Sequence, residues 1–432
     1  MFKYSPFALV VAVALGGCGG SSDSVDDYRP DVAPPSTSEP DTFKLHAVKV
    51  DGCGVGADFT DAGMLIHDAN GAVLSEVSAD ANGKFEFELP GNAKHVTVKG
   101  YTRYINWNGL LVQEPEYISF LDVSAQDLGE VRFLDISEEA NCGCRTITAD
   151  VTDLAAVRTG FILDRTALDA ADTQRSMEVC TVDADKLRVQ LGTPDGSASL
   201  AARIDVYNKT EFTLSLNDFS HAGVKVKLSA EVAAGSRKGV SQYFTNPYHY
   251  GSYDSTTRLA SEFVYPSLSE ANLFIANGDN EGTGWGILAW VDQEADLSSV
   301  KPMVLGAQGQ ALKTELTQGV LAKSYPLSFD FSVVSPTAVS SKFSIYHRNL
   351  QGDATSWRIH GGAKGQLPDL VLGGGEQLSQ FFGASDAVSV TDLGKAMDLK
   401  SYRAERTKVQ NSFLDARDAM MVQSTLSFSI RQ

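Results

Sequence analysis

A chain of 432 residues with 43% hydrophobic content exceeds what one compact core supports and suggests about two to four domains. Its net charge of -18 at pH 7 and pI near 4.8 argue against nucleic acid as a partner, because backbone binding draws its affinity from clustered Lys and Arg. The seven histidines are scattered and form neither His-Glu-x-x-His nor a helical His pair, which removes the sequence support for zinc hydrolysis.

At the N-terminus, Lys3 precedes an apolar run from Phe7 to Leu15. A charged start followed by a short apolar segment is the composition of a secretory signal, and the run is shorter than the about 20 residues of a spanning helix. The run ends in Leu15-Gly16-Gly17-Cys18, which resembles the bacterial lipoprotein signal. The resemblance implies that residues 1–17 are a cleaved signal peptide, that Cys18 carries lipid, and that the chain meets the membrane through that anchor. An ordinary secretory signal with a chance Cys is the competing reading. In the sorting rule this resembles, Asp after the lipidated Cys holds a protein at the inner membrane. Here Gly19 follows, which favours the outer membrane and leaves its face open.

Residues 18–43 are rich in Gly, Ser, Asp and Pro with almost nothing apolar. They are read as a disordered linker, acidic and stiffened by Pro34-Pro35 and Pro40.

From residue 44 to 136 the apolar residues alternate, as in an antiparallel sandwich. Met64 to His67, Val73 to Val77, Lys84 to Leu89 and His95 to Val98 are the clearest strands. Asp68-Ala69-Asn70-Gly71 and Asp80-Ala81-Asn82-Gly83 end in Asn-Gly, which tolerates the positive φ of tight turns. An EF-hand reading of these loops fails, because Val77 and Leu89 stand at the acid position. Gly71-Ala72-Val73, Asp80 through Phe87 and Leu89-Pro90-Gly91 together resemble the carboxypeptidase regulatory-like domain, a prealbumin-type β-sandwich. That resemblance implies a non-catalytic spacer or binding unit.

Four cysteines remain besides Cys18: Cys53, Cys142, Cys144 and Cys180. An exported chain meets oxidising conditions, so disulfides are expected. Cys142 and Cys144 are too close in sequence to bridge each other without strain, so each is expected to pair with Cys53 or Cys180. A metal site on Cys142-Gly143-Cys144 is the competing reading, and it lacks the paired spacings of zinc sites.

Residues 145–325 and 326–432 are read as two further β-rich units with a boundary near Tyr325-Pro326. Thr213 to Leu216, Val224 to Leu228, Leu327 to Phe331 and Leu426 to Ile430 alternate as strands, and strands carrying Lys as Val224 to Leu228 does argue against a membrane barrel. A short helix is expected over Glu376 to Phe382, and Val409, Phe413, Ala416 and Met420 fit a helix face, with strands as the alternative there because periodicity does not separate the two. Asn277 to Gly282 reads as a polar loop, and Gly282-Thr283-Gly284-Trp285-Gly286 and Gly373-Gly374-Gly375 read as flexible turns.

No catalytic residues and no cofactor are assigned. Trp357 to Gly362 has no Gly-x-Ser-x-Gly partner motif and reads as a strand entering a glycine turn. The ligand-binding candidates lie in an aromatic-rich stretch: Tyr243, Tyr248, His249, Tyr250 and Tyr253. Aromatic faces stack on the apolar faces of sugars, although such rings also cover the ends of sandwich cores. Tyr101, Tyr104 and Trp107 form a smaller cluster of the same kind. The expectation is an all-β chain of tandem antiparallel sandwich domains after a disordered tether. Its expected role is that of a non-enzymatic cell-envelope binding or structural module, with a glycan or protein as ligand; the alternative is an envelope or surface hydrolase of polysaccharide or peptide.

Overall fold

The computed structural model describes residues 42–51, 56–106, 108–136, 144–164, 166–179, 186–235, 237–243, 263–268, 271–280, 282–291, 295–349, 354–382, 386–411 and 422–430. Strands dominate them, and the architecture is all-β with several sheets.

The first unit comprises β1 (Phe43–Val50), β2 (Gly56–Asp58), β3 (Gly63–His67), β4 (Val73–Ser78), β5 (Lys84–Phe87), β6 (His95–Ile105), β7 (Leu111–Phe120) and β8 (Asp127–Ile136). Its turns follow from the sequence. Asp68 Oδ1 accepts the backbone N–H of Asn70 at 2.8 Å and of Ala72 at 3.0 Å, and Asp80 Oδ1 accepts those of Asn82 and Lys84, both at 2.8 Å. Gly71 closes the first turn at φ 87°, and a Cβ there would also lie 2.9 Å from the Asp369 carbonyl oxygen. Strands β4-β3-β6-β7 form one layer and β5-β1-β8 the other. Between them lie Phe43, Leu45, Met64, Ile66, Phe85, Val98, Ile118, Phe120 and Phe133. Each such side chain contributes about 1.5–3 kcal/mol by leaving water.

A second sandwich follows, built from β9 (Arg145–Asp150), α1 (Thr152–Val157), β10 (Ile162–Leu163), β11 (Thr166–Ala167), β12 (Gln174–Val179), β13 (Lys186–Gly192), β14 (Ser199–Asp205), β15 (Glu211–Thr213) and β16 (His221–Ala222). Sheet β12-β9-β15 shares one core with sheet β11-β10-β13-β14-β16, through Ile147, Ala149, Met177, Val189 and Ala202.

The remainder contains β17 (Val224–Lys225), β18 (Lys227–Leu228), α2 (Ala230–Ala233), β19 (Arg237–Tyr243), β20 (Phe263–Val264), β21 (Ala271–Asn280), β22 (Thr283–Val291), β23 (Asp296–Leu297), α3 (Gly306–Ala322), β24 (Leu327–Asp330), β25 (Ala338–Arg348), β26 (Ala354–Gly362), β27 (Lys364–Leu367), β28 (Ala387–Asp392), α4 (Leu399–Asn411) and β29 (Val422–Ser429). Strands β19-β21-β22-β29-β28-β25-β26 form one antiparallel array, and β26 then pairs with β7 in parallel. One sheet therefore runs from this array into the first sandwich. It also crosses the expected boundary at Tyr325-Pro326, a cis peptide, because β22 pairs with β29 from Thr283–Phe428 to Ala289–Val422.

One face of the array carries Phe343, Ile345, Trp357, Ile359, Val388, Val390, Leu426 and Phe428, covered by Leu312, Leu316 and Val320 of α3. Helix α3 was not evident in the sequence. Gly306, Gly309 and Gly319 weaken its helix propensity, and tertiary packing of Leu312, Leu316 and Val320 supplies what propensity lacks.

Several local expectations are corrected. Over Glu376 to Phe382 only Leu378–Gln380 is helical, as a single 3-10 turn, because Asp369 accepts the Ser379 N–H at 2.8 Å and Leu378 is drawn into the core. The Thr213 to Leu216 strand stops at Thr213, where Ser215 and Asp218 form a capping box. Val224 to Leu228 splits into β17 and β18, which pair with different partners. Asn277 to Gly286 is no loop but the β21–β22 hairpin. Its glycines permit close packing, since a Cβ on Gly278 would lie 2.6 Å from the Trp285 ring and one on Gly286 2.6 Å from Thr425 Oγ1. Val409 lies in α4, whereas Phe413, Ala416 and Met420 lie outside the described residues, as do residues 1–41 with Cys18 and the linker up to Asp41. Cys144 precedes β9; Cys53, Cys142 and Cys180 are outside the described residues, and so is the expected pairing.

A buried polar chain crosses the β7–β26 junction. Trp357 Nε1–H donates to Ser119 Oγ at 2.7 Å, Ser119 and Thr97 hydroxyls lie 2.7 Å apart, and Thr97 Oγ1 is 2.9 Å from His67 Nε2. His67 Nδ1 lies 3.1 Å from the Gly71 carbonyl, which only accepts. Both ends therefore fix one direction: Nδ1 holds the imidazole proton and Nε2 accepts from Thr97. A second proton on His67 would oppose the Thr97 hydroxyl, and burial is the largest cause that lowers its pKa to about 4. His95 and His360 are likewise lowered, first by burial. The unfolded chain binds these protons below about pH 6.5 while the folded chain resists them, so stability is full above pH 6.5 and falls as pH drops toward 4. Urea midpoints at pH 7 and pH 4.5 should show this loss. His67→Gln should shrink the loss by up to about 3 kcal/mol; an unchanged pH slope would contradict the relay.

Candidate functional site

The residues nominated by the sequence are not brought together among the described residues. Tyr243 ends β19 opposite Ala271, whereas Tyr248, His249, Tyr250 and Tyr253 lie outside the described residues. Tyr101 and Tyr104 cover part of the first sandwich. Tyr101 packs edge-on against Phe59 at 5.0 Å between centroids, with Lys49 Nζ 4.7 Å above the Tyr101 ring. Tyr104 donates to Glu114 at 2.7 Å, and burial first, then that bond, raises its pKa to about 12. Trp107 is outside the described residues. No group of three or more His, Cys, Asp or Glu suited to a metal occurs among the described residues.

The structure instead gathers cations on the second face of the main array, opposite the apolar core. Successive residues on a strand alternate faces, so Arg358 and His360 share this face while Trp357 and Ile359 are in the core. Lys342 of β25 stands directly opposite His360, and Ser344 opposite Arg358. Helix α4 adds Arg403 and Arg406. Arg403 is 5% exposed and donates to the carbonyls of Leu121 at 2.6 Å and Asp122 at 3.0 Å. Phe120 lies between the two elements: it stacks on His360 at 5.2 Å, and the Arg403 guanidinium sits 5.9 Å from its centroid.

The electrostatics of this corner are unusual for so acidic a chain. Burial comes first in lowering the Lys342 pKa, followed by the charges of Arg358 and Arg406. His360 is held neutral by burial and then by Arg406, Lys342, Arg358 and Arg403 in that order. Arg403 is lowered to about 10 by burial and by Arg406. The counter-charge is partial. Glu116 pairs with Arg358 at 2.6 Å, and Asp122 acts on Arg403. Lys342 and Arg406 make no ion pair among the described residues.

From this corner a polar row runs straight across the array. Lys342 is opposite Ser389, Ser389 opposite Ser427, and Ser427 opposite Gly284, all half-buried. The Ser389 and Ser427 hydroxyls lie 2.8 Å apart. A parallel row places Ser340, Thr391, Thr425 and Gly286 side by side, with the Thr425 hydroxyl donating to the Gly286 carbonyl at 3.3 Å. At about 4.8 Å per strand spacing, the row from β26 to β22 is about 19 Å long. Helix α4 bounds one end, where a Cβ on Gly362 would lie 3.6 Å from Leu399. Strand β8 bounds another, where the Arg132 carbonyl accepts from Arg358 at 3.0 Å.

Sequence reading missed this site because its residues come from strands and a helix far apart in the chain and form no motif. One signal was available. The stretch from Ala338 to Lys408 carries a slight excess of Lys and Arg over Asp and Glu, in a chain of net charge -18.

No protein-family model matches the sequence, and no curated protein matches it. Among solved structures, the chain is similar to two B repeat units of the collagen binding protein of Staphylococcus aureus. Identity is 8%, coverage is 74% of this chain and 99% of that one, and the TM-score is 0.13. A likeness at that score constrains neither fold nor ligand.

Proposed function

We propose that this chain is a lipid-anchored module of the bacterial outer membrane that binds an envelope component, glycan or protein, without turning it over. The observation that carries the reading is the cationic, hydroxyl-lined face of the main array. A row of polar side chains on a continuous sheet is a preformed surface, and binding to it needs little reorganisation. The signal sequence supports the address: Leu15-Gly16-Gly17-Cys18 would place lipid on Cys18, and Gly19 favours the outer membrane. Residues 19–41, rich in Pro and acidic side chains, would act as a tether that separates the folded part from the bilayer. The exported location is also the reason to expect two disulfides among Cys53, Cys142, Cys144 and Cys180.

The address is tested by the intact mass of the protein from a bacterial membrane fraction. A chain that begins at lipidated Cys18 and gains four hydrogens on reduction is expected; an unlipidated soluble product would overturn the anchor. The binding role is tested by incubating the full chain with a panel of envelope glycans and proteins. Retention with no released product is expected, whereas turnover would move the protein to the hydrolase reading.

A further inference from the structure

We infer that the row of β22, β29, β28, β25 and β26 recognises an acidic saccharide, with its carboxylate or phosphate held at the Lys342–Arg358–Arg406 corner and its hydroxyls along Ser389, Ser427 and Thr425. The inference rests on the binding reading above and names the ligand of that same face.

The charge arrangement carries it furthest. Register sets Lys342 and Arg358 on one face of adjacent strands, and α4 brings Arg406 over them, close enough to act on Lys342, His360 and Arg403 alike. Like charges placed together in a partly desolvated corner repel one another more strongly than they would in water. The main carboxylate there, Glu116, is already occupied by Arg358 and by the Thr102 hydroxyl. An oxyanion would relieve the repulsion, and the guanidinium fork suits carboxylate and phosphate alike.

The floor beside the corner selects a saccharide over a simple anion. Ser389, Ser427 and Thr425 offer hydroxyl oxygens that accept, and the Ser389–Ser427 pair, whose mutual bond uses one proton, has one left to donate; Gly284 and Gly286 leave the floor free of bulky side chains. Farther along β22 the same face carries Leu288 and Trp290, both half-buried, which could meet the apolar side of a ring.

The test is isothermal titration of the full chain with an oligogalacturonate, its neutral methyl ester and a phosphorylated dextran, with inorganic phosphate as competitor. Binding of an acidic oligomer, no binding of the ester, and a loss of at least tenfold in Lys342→Gln and in Arg406→Gln are expected. The acidic oligomer that binds identifies carboxylate or phosphate as the group recognised. Removing one of several like charges should also leave each variant folded and raise its melting temperature. Should Lys342→Gln fail to fold, Arg406→Gln on the partly exposed helix face decides alone. Unchanged affinity in the variants, or equal binding of the ester, would overturn this assignment and leave the binding module intact. Binding of inorganic phosphate alone, or of none of the probes, would also overturn it. Failure of the glycan and protein panel above would remove the binding reading itself.

Discussion

The parallel pairing of β7 with β26 is the constraint on which the rest of this molecule depends. Five register pairs, from Glu116–Ser356 to Phe120–His360, join strands more than 200 positions apart in the chain. Because a strand presents alternate residues to its two faces, this one junction fixes both sides of the sheet at once. Ser119 meets Trp357 on the core side, while Phe120 meets His360 on the other. A slip of one residue would exchange the two sets and bury charges among Phe343, Ile345 and Trp357.

The junction also explains why the two faces differ in chemistry. The core face is closed by α3 and by the loop that carries Leu370 and Leu372, and a directed polar chain runs through it from Trp357 to His67. Toward the first sandwich, the second face is sealed by β1 and β8. Beyond β26 the apolar cover shrinks to a small cluster at the β25 edge, where Tyr402 and Leu399 of α4 pack with Val339 and Leu393, and beside it Lys342, Arg358 and the Ser/Thr row occur. Helix α4 stands where the two regimes meet. Its Arg403 ties it to the Leu121 and Asp122 carbonyls of the first sandwich, and Thr407 adds a bond to the Asp127 carbonyl at 3.2 Å. The result is a polar surface on a rigid base, with its charges placed by backbone register rather than by mobile loops.

Much of the local structure was legible in the sequence. The alternation in residues 44 to 136 marked β3, β4, β5 and β6, and the two Asp-x-Asn-Gly stretches formed the side-chain-capped turns that this chemistry favours. What could not be read was long-range. Helix α3 is held by packing despite its glycines, and glycine-rich Gly282 to Gly286 became a strand because Thr425 approaches the backbone there. The sheet crossing the Tyr325-Pro326 boundary leaves no local trace, since Val422 to Phe428 alternates equally well with any partner. The site was hidden for the same reason: Lys342, Arg358 and Arg406 acquire meaning only after β25, β26 and α4 are assembled.

Native-state hydrogen exchange under increasing denaturant tests the central claim, that the first sandwich and the main array are one cooperative unit through β7 and β26. The amides of Ile118 in β7, Ile359 in β26 and Val390 in β28 should open together, with one free energy and one denaturant slope. Separate opening of Ile118 well before Ile359 and Val390 would show two independent units and contradict the account.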